Sequence, residues 1–209
     1  MKLLAIDTCG ADCSVAVIEN GAVLAAVYEK DIEKHSKTLL KFIDGTLKEA
    51  VCGINEIEKI AVTAGPGSFT GLRIGMATAK GLAAARRIPI IQVSSLYAAA
   101  LSAYAEGQTV LSMIDARNDS FYYAFFKCSD GLKRLTEDDC LEHSEIKKQA
   151  EKIGAKIVTT GPVKAELFGP AVEKEEGVSP EKAGVFYMKL PQAARELQQR
   201  RMKDDRDRL

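Results

Sequence analysis

Several residue types that carry common chemistry are scarce in this sequence. It has no tryptophan and only two histidines, and none of its five cysteines forms a Cys-x-x-Cys pair. The two histidines, His35 and His143, belong to no His-x-x-x-His motif, so the sequence predicts no zinc or iron centre. An odd number of cysteines without paired spacing favours reduced thiols, and we therefore expect a cytoplasmic protein.

Long apolar runs and an excess of one charge are also missing. The longest apolar run, 22–28, has seven residues, whereas a helix needs about 20 to cross a bilayer, so no membrane association is expected. Lys plus Arg and Asp plus Glu both total 29, which disfavours nucleic-acid binding driven by bulk charge. With 209 residues, of which 46% are hydrophobic, the chain has the composition of an ordinary globular protein of one or two domains.

The first half of the chain predicts three strands, a helix, a strand, a helix, a strand and a helix. Asn20-Gly21 separates two apolar runs and is a strong hairpin signal, because both turn residues tolerate a positive φ. Ser36 is the predicted N-cap of the first helix, which runs to about residue 51. Its apolar face is predicted to comprise Leu39, Leu40, Ile43, Leu47 and Val51. The remaining strands are expected at 59–64 and 90–93, and the remaining helices at 72–87 and from Ser94 or Ser95 to about 105.

The second half repeats this pattern. Ile6-Asp7-Thr8 is matched by Ile114-Asp115-Ala116, and the segment 62–66 is matched by 158–162. The expected elements are strands at 109–115, 120–127 and 156–160, a short strand after the turn at 129–131, helices at 144–152 and 191–203, and a loop at 170–183. Two such halves predict an α/β, actin-like (ribonuclease H-like) duplicated fold of two lobes, 1–107 and 108–209, each with a mixed sheet flanked by helices.

A glycine-rich loop, 65–71, separates a predicted strand from a predicted helix. Glycines allow a close backbone approach and a helix N-terminus attracts anions, so the loop suits a phosphate. The alternative is a tight turn with Ser68 or Thr70 as the helix N-cap. Asp7, after the first strand, suits either a hydrated Mg²⁺ or a turn that it caps itself. The possible vestigial nucleotide site therefore comprises Asp7, Gly65, Gly67, Ser68 and Thr70.

The helix that follows this loop carries a small residue at every fourth position, namely Gly71, Gly75, Ala79 and Ala83. Such a stripe lets another element approach closely. Because the helix is apolar nearly all round, we expect a second chain to cover it, the alternative being the sheet of its own lobe.

Several strings of residues resemble one family closely. They are Leu4-Ala5-Ile6-Asp7-Thr8, His35-Ser36, Gly65-Pro66-Gly67-Ser68-Phe69-Thr70-Gly71-Leu72-Arg73-Ile74-Gly75, Ala79-Lys80-Gly81-Leu82 and Ile114-Asp115-Ala116-Arg117. The chain resembles the TsaB (YeaZ) family. That resemblance implies a catalytically inert, actin-like paralogue of the enzyme TsaD. TsaD and TsaB act with the ATPase TsaE to install a threonylcarbamoyl group on the adenosine beside the anticodon of tRNA.

The resemblance also implies a partner interface and excludes a catalytic site in this chain. It implies helix-mediated binding to a TsaD-type subunit, contact with tRNA only through the complex, and a homodimer of the lone chain through the same surface. No cofactor is implied for the chain alone, although ATP and Mg²⁺ belong to the complex. The interface implied on this chain is Leu39, Leu40, Ile43, Leu47, Leu72, Arg73, Gly75, Met76, Ala79, Lys80 and Ala83.

Two other functions stay open at this level. A small ATP-dependent enzyme or a peptidase of the same superfamily would need a second phosphate loop, a metal site or a nucleophile cluster. A tRNA-binding module would need a basic face, for which Arg200, Arg201 and Lys203 are the candidates.

Overall fold

A computed structural model describes residues 1–155, 157–159, 162–172 and 175–188. Its first sheet contains β1 (Lys2–Asp7), β2 (Cys13–Glu19), β3 (Ala22–Glu29), β4 (Lys59–Gly65) and β5 (Ile90–Ser94), in the order β3-β2-β1-β4-β5. The first three strands are antiparallel, whereas β4 and β5 run parallel to β1. Asn20 and Gly21 have φ values of 49° and 81°, which confirms the predicted hairpin turn.

Two helices, α1 (His35–Glu49) and α2 (Phe69–Arg86), pack side by side on one face of this sheet. The prediction of Ser36 as N-cap is wrong, because α1 begins at His35 and its N-cap, Lys34, makes no side-chain capping bond. The helix therefore starts two residues earlier than predicted. The ring Nε2 of His35, its first residue, lies 2.9 Å from the carbonyl oxygen of Asp12.

The apolar face predicted for α1 is correct only in part. Leu39, Ile43 and Leu47 are buried against the sheet, as expected. Leu40 is 59% exposed and Val51, beyond the end of the helix, is 89% exposed. Both were expected on the buried face, but Leu40 lies one position beyond the buried side and Val51 adopts a positive φ of 50° that turns the chain away.

The second sheet repeats the order of the first. It contains β6 (Thr109–Asp115), β7 (Ser120–Cys128), β8 (Leu132–Arg134), β9 (Asp139–Glu142) and β10 (Ile157–Thr159). Its order is β10-β6-β7-β8, with β9 paired to β7 beside β8, and β10 is parallel to β6. The first strand of each sheet ends in the same turn, since Asp7 Oδ1 accepts the amide of Cys9 and Asp115 Oδ1 accepts the amide of Arg117. The duplicated α/β fold is thereby confirmed.

Helix α3 (Ser95–Leu101) connects the two sheets and packs on both. Its Ala98 and Ala99 belong to the core of the first sheet, and its Leu96 and Ala100 to that of the second. Ser94 caps it by accepting the amide of Tyr97, as one of the two predicted alternatives stated. Helix α4 (His143–Ile153) covers the other face of the second sheet through Ile146.

The described C-terminal residues return to the first sheet. Helix α5 (Phe168–Val172) buries Phe168 and Val172 against Ala5 and Ile18, and Ala183 is buried beside α2. The loop predicted at 170–183 is therefore wrong in part, since it includes buried core residues. The lobe boundary near Gly107 stays a prediction. The predicted helix at 191–203, with Arg200, Arg201 and Lys203, and the Gly161 turn lie outside the described residues. None of the described helices is long and apolar enough to span a bilayer.

Candidate functional site

Asp7 ends β1 at the carboxyl edge of the first sheet, and its carboxylate is engaged within the chain. The side chain is only 2% exposed, and its Oδ1 accepts Oγ1 of Thr63 at 2.7 Å and the amide of Cys9 at 3.1 Å. Burial raises the pKa of Asp7 from 3.8 to about 6, against the opposing effect of these hydrogen bonds. This geometry favours the turn-capping role of Asp7 over a magnesium-binding one.

The glycine-rich loop 65–71 packs directly on the turn that follows Asp7. The amide of Ser68 donates to the carbonyl of Cys9 at 2.7 Å, and Oγ1 of Thr8 donates to the carbonyl of Gly71 at 2.8 Å. A Cβ atom at Gly67 would collide with the carbonyl oxygen of Cys9, and one at Gly71 with that of Thr8. The glycines therefore allow two backbone segments of the same chain to touch.

The first polar groups of α2 also form hydrogen bonds within the chain. Oγ of Ser68 accepts the amide of Gly71 at 3.2 Å, so the predicted capping role of Ser68 is confirmed. Ser68 and Thr70 are exposed. Since the amides of Ser68 and Gly71 already have partners, the nucleotide role of Asp7, Gly65, Gly67, Ser68 and Thr70 remains a prediction without a supporting contact.

The contact between the loop 65–71 and the turn after Asp7 is made by Thr8 and Cys9, and Thr63 bonds to Asp7 beside it. None of these three was predicted as a site residue. Burial raises the pKa of the Cys9 thiol well above its ordinary value, so the thiol is protonated and a poor nucleophile. The positions of these three residues in the sequence could have indicated this role. Thr8 and Cys9 directly follow Asp7, and Thr63 lies at the matching place on the neighbouring strand β4. The described residues contain no group of three or more His, Cys, Asp or Glu placed to hold a metal ion.

The small-residue stripe of α2 faces the sheet of its own lobe, which corrects the expectation that a second chain covers it. A Cβ atom at Gly75 would collide with Oγ1 of Thr8 and lies 3.6 Å from a methyl of Val62. The stripe lets the helix lie close to β1 and β4. Most residues expected at the partner interface are for this reason buried in the chain's own core, namely Leu39, Ile43, Leu47, Leu72, Gly75, Met76, Ala79 and Ala83.

The opposite side of the two helices is exposed. Small residues line it on α2, whereas on α1 it also carries the charged side chains Lys37, Lys41, Asp44 and Lys48. We define the outer helix face as Leu40, Gly45, Ala77, Gly81 and Ala84, which are all exposed. A Cβ atom at Gly45 or Gly81 would have no atom of the described chain within 4 Å. Glycine inside a helix costs about 1 kcal/mol relative to alanine, and no contact of the described residues requires glycine at these two positions.

Arg73 and Lys80, also expected at the interface, hold the C-terminal segment 183–187 against α2. Nε of Arg73 donates to the hydroxyl of Tyr187 at 2.7 Å, and Nζ of Lys80 donates to the carbonyl of Ala183 at 2.9 Å. The amide of Phe186 donates to the carbonyl of Ala64 at 2.7 Å. This leaves Phe186 and Tyr187 55% and 46% exposed, beside the start of α2.

Comparison with known proteins places this chain among proteins of tRNA modification. A family model described as "TsaD: tRNA N6-adenosine threonylcarbamoyltransferase" matches residues 23–189. The "tRNA threonylcarbamoyladenosine biosynthesis protein TsaB" of Escherichia coli is 34% identical over 165 residues, which are 77% of this chain and 71% of the relative. The protein of that name from Haemophilus influenzae is 36% identical over 59% of this chain, a match that spans 53% of the relative.

A solved structure supports the same relationship. YeaZ from Pseudomonas aeruginosa superimposes with a TM-score of 0.79 at 28% identity, covering 90% of this chain and 99% of the neighbour.

Proposed function

Because the chain belongs to the TsaB (YeaZ) family, we propose that it is an accessory subunit in the biosynthesis of threonylcarbamoyladenosine in tRNA. Its partner is a TsaD-type transferase, and its contribution is a protein surface, with the catalytic groups supplied by the partner. A TsaE-type ATPase, with ATP and Mg²⁺, acts at the level of the complex. The lone chain forms a homodimer through the surface that the partner covers in the complex.

The observation that carries this proposal is the outer helix face. It combines an exposed leucine, Leu40, with two helix-interior glycines, Gly45 and Gly81, that no contact of the described residues requires. A smooth helical surface of this kind permits close approach of a helix from another chain. Exposed apolar surface on two adjacent helices is typical of a protein–protein contact.

The chemistry available in the described residues also fits an accessory role. The carboxylate of Asp7 and the amide of Ser68 are engaged within the chain, and the Cys9 thiol is buried. Nε2 of His35 contacts the carbonyl of Asp12, and His143 packs against the ring of Phe121. In the part of the chain that the structure describes, no cluster of metal-ligating side chains supports the alternative of an active ATP-dependent enzyme or peptidase.

The test is binding of the full chain to the TsaD-type protein of the same organism. Light scattering after gel filtration should show a homodimer that exchanges for a mixed complex. Gly81→Arg should weaken both assemblies at least tenfold, because a long charged side chain blocks close helix approach. Ser144→Arg adds the same side chain to an exposed site in the first turn of α4 and is the matched control.

Each of three outcomes would count against the proposal. If the wild-type chain does not bind the TsaD-type protein, the accessory role is wrong. If Gly81→Arg binds as tightly as wild type, the partner surface lies elsewhere. Steady-state ATP hydrolysis by the lone chain would favour the enzymatic alternative.

A further inference from the structure

The guanidinium group of Arg73 is held in a fixed plane at the start of α2. Its Cζ lies 3.6 Å from the centroid of the Phe69 ring and 5.6 Å from that of the Tyr187 ring. Its Nε donates to the Tyr187 hydroxyl at 2.7 Å, and the two rings contact each other with centroids 5.1 Å apart. Stacking and this hydrogen bond together restrict an otherwise mobile side chain, so part of the entropic cost of binding is already met in the free protein.

The outer part of the same guanidinium has unused donors. Arg73 is exposed, and within the described part of the chain neither of its Nη atoms has a hydrogen-bond or ion-pair partner. A guanidinium whose Nε is engaged presents its Nη groups in a planar arrangement, which suits an anionic oxygen group. The surroundings are apolar, since the rings of Phe69 and Tyr187 contact the guanidinium and Tyr187 is 46% exposed.

We propose that Arg73 is a docking anchor that binds a side-chain carboxylate of the TsaD-type partner, with the rings of Phe69 and Tyr187 as the apolar part of the same contact. The proposal rests on the proposed function above, and it adds the residue that fixes the orientation of the partner. Arginine, tyrosine and tryptophan dominate the energetic centres of protein interfaces. An arginine already stacked on aromatic rings has the properties of such a centre.

A carboxylate is favoured over an RNA phosphate by the charge around Arg73. Phosphate-backbone binding usually involves several cations. Lys80, which follows on the same side of α2 at seven-residue spacing, already donates to the carbonyl of Ala183. Within the described residues, Arg73 is the cation that contacts the Phe69 and Tyr187 rings, and a single cation matches a single acidic side chain of a protein.

The position of Arg73 connects this cluster to the outer helix face. Arg73, Ala77 and Gly81 follow each other at four-residue spacing on α2, and all three are exposed. Residues at this spacing are neighbours on one side of a helix. A helix that packs along Ala77 and Gly81 would therefore bring one of its own side chains, or its end, to Arg73.

The test compares Arg73→Lys with wild type in binding to the purified TsaD-type protein without RNA. Lysine keeps the charge but loses the planar donor group and the stacking, so affinity should fall roughly tenfold or more. Tyr187→Phe removes only the hydroxyl that orients Arg73, and we expect a smaller loss of about threefold to fivefold. Arg87→Lys, at the opposite end of the same helix, is the matched control and should bind like wild type.

A double-mutant cycle of Arg73 and Tyr187 tests the positioning role of Tyr187 directly. If Tyr187 acts by positioning Arg73, the Tyr187→Phe change should have no further effect in the Arg73→Lys background. Unchanged affinity of Arg73→Lys, while wild type binds the partner, overturns this inference and leaves the proposed function intact. Loss confined to tRNA binding by the complex, with normal protein–protein affinity, would identify a phosphate as the ligand and also overturn it.

Discussion

Replacing Asp7 by asparagine is expected to stabilise the isolated protein at neutral pH. Burial raises the pKa of Asp7 from 3.8 to about 6, a difference of about two pKa units. At 1.36 kcal/mol per unit, ionised Asp7 destabilises the folded state by roughly 3 kcal/mol above pH 6. Asparagine has the same shape, and its carbonyl oxygen can still accept from Thr63 and Cys9. The shift already includes the effect of the Thr63 and Cys9 hydrogen bonds on the charged form. We therefore expect a gain of about 3 kcal/mol in the free energy of unfolding above pH 6.

The stabilisation by Asp7→Asn should depend on pH, because only the wild-type side chain titrates. Between pH 4 and 6 the folded protein keeps the Asp7 proton that the unfolded chain releases, so the folded state binds more protons. The contribution of Asp7 to stability is therefore fully present below about pH 4 and is lost as the pH rises to 6. The difference between Asp7→Asn and wild type should be near zero at pH 4 and should reach its maximum above pH 6.

Urea unfolding from pH 4 to 7.5, followed by circular dichroism, would measure this difference. Asp115→Asn is the matched control, because Asp115 caps the equivalent turn of the second lobe but is exposed. A variant less stable than wild type by the same amount at every pH would refute the reasoning, because the ionisation of Asp7 would then have no effect on stability. Normal stability with loss of tRNA modification in the complex would restore the metal or nucleotide role.

Two further predictions concern α2. Gly75→Ala should destabilise the protein by about 1 to 3 kcal/mol in urea unfolding, because its Cβ would collide with Thr8. Gly81→Ala should instead stabilise it by about 0.5 to 1 kcal/mol. Equal effects of the two changes would contradict the assigned helix orientation. Ser68→Ala should lower the free energy of unfolding by about 1 kcal/mol through loss of the N-cap. Thr70→Ala removes an exposed hydroxyl that does not cap, and its stability should stay within about 0.5 kcal/mol of wild type. A larger loss of stability at Thr70 would indicate that the cap is misassigned.

The strands of both lobes could be predicted because their signals are local. Asn20-Gly21 specifies a turn through the φ values that its residues tolerate, and the strand 109–115 was predicted with its observed bounds. Strand β9 was missed because Cys140 and Leu141 give only two apolar positions between the acidic residues Asp139 and Glu142. Its pairing with β7 depends on a contact between segments distant in sequence, which periodicity does not report.

The orientation of α2 was the main error about the candidate interface. Its apolar residues surround nearly the whole helix, so periodicity could not decide which side meets the sheet. Thr8 decides it, because its side chain and carbonyl occupy the space that a Cβ at Gly75 or Gly71 would need. The residues left for a partner are exposed ones such as Gly81, where an added Cβ would have no atom of the described chain within 4 Å.

The loop 65–71 shows why a glycine-rich strand-to-helix turn is an ambiguous signal. Close backbone approach, for which glycine is required, serves a bound phosphate and a neighbouring peptide group equally well. In this protein the neighbour is the turn of Thr8 and Cys9, and the carbonyl of Cys9 accepts the Ser68 amide that a phosphate oxygen would otherwise use. The loop thus joins the end of β1 to the start of α2. It places both α2 and Arg73 at fixed positions on the lobe, and a rigid helix surface is what an accessory subunit needs to orient an enzyme.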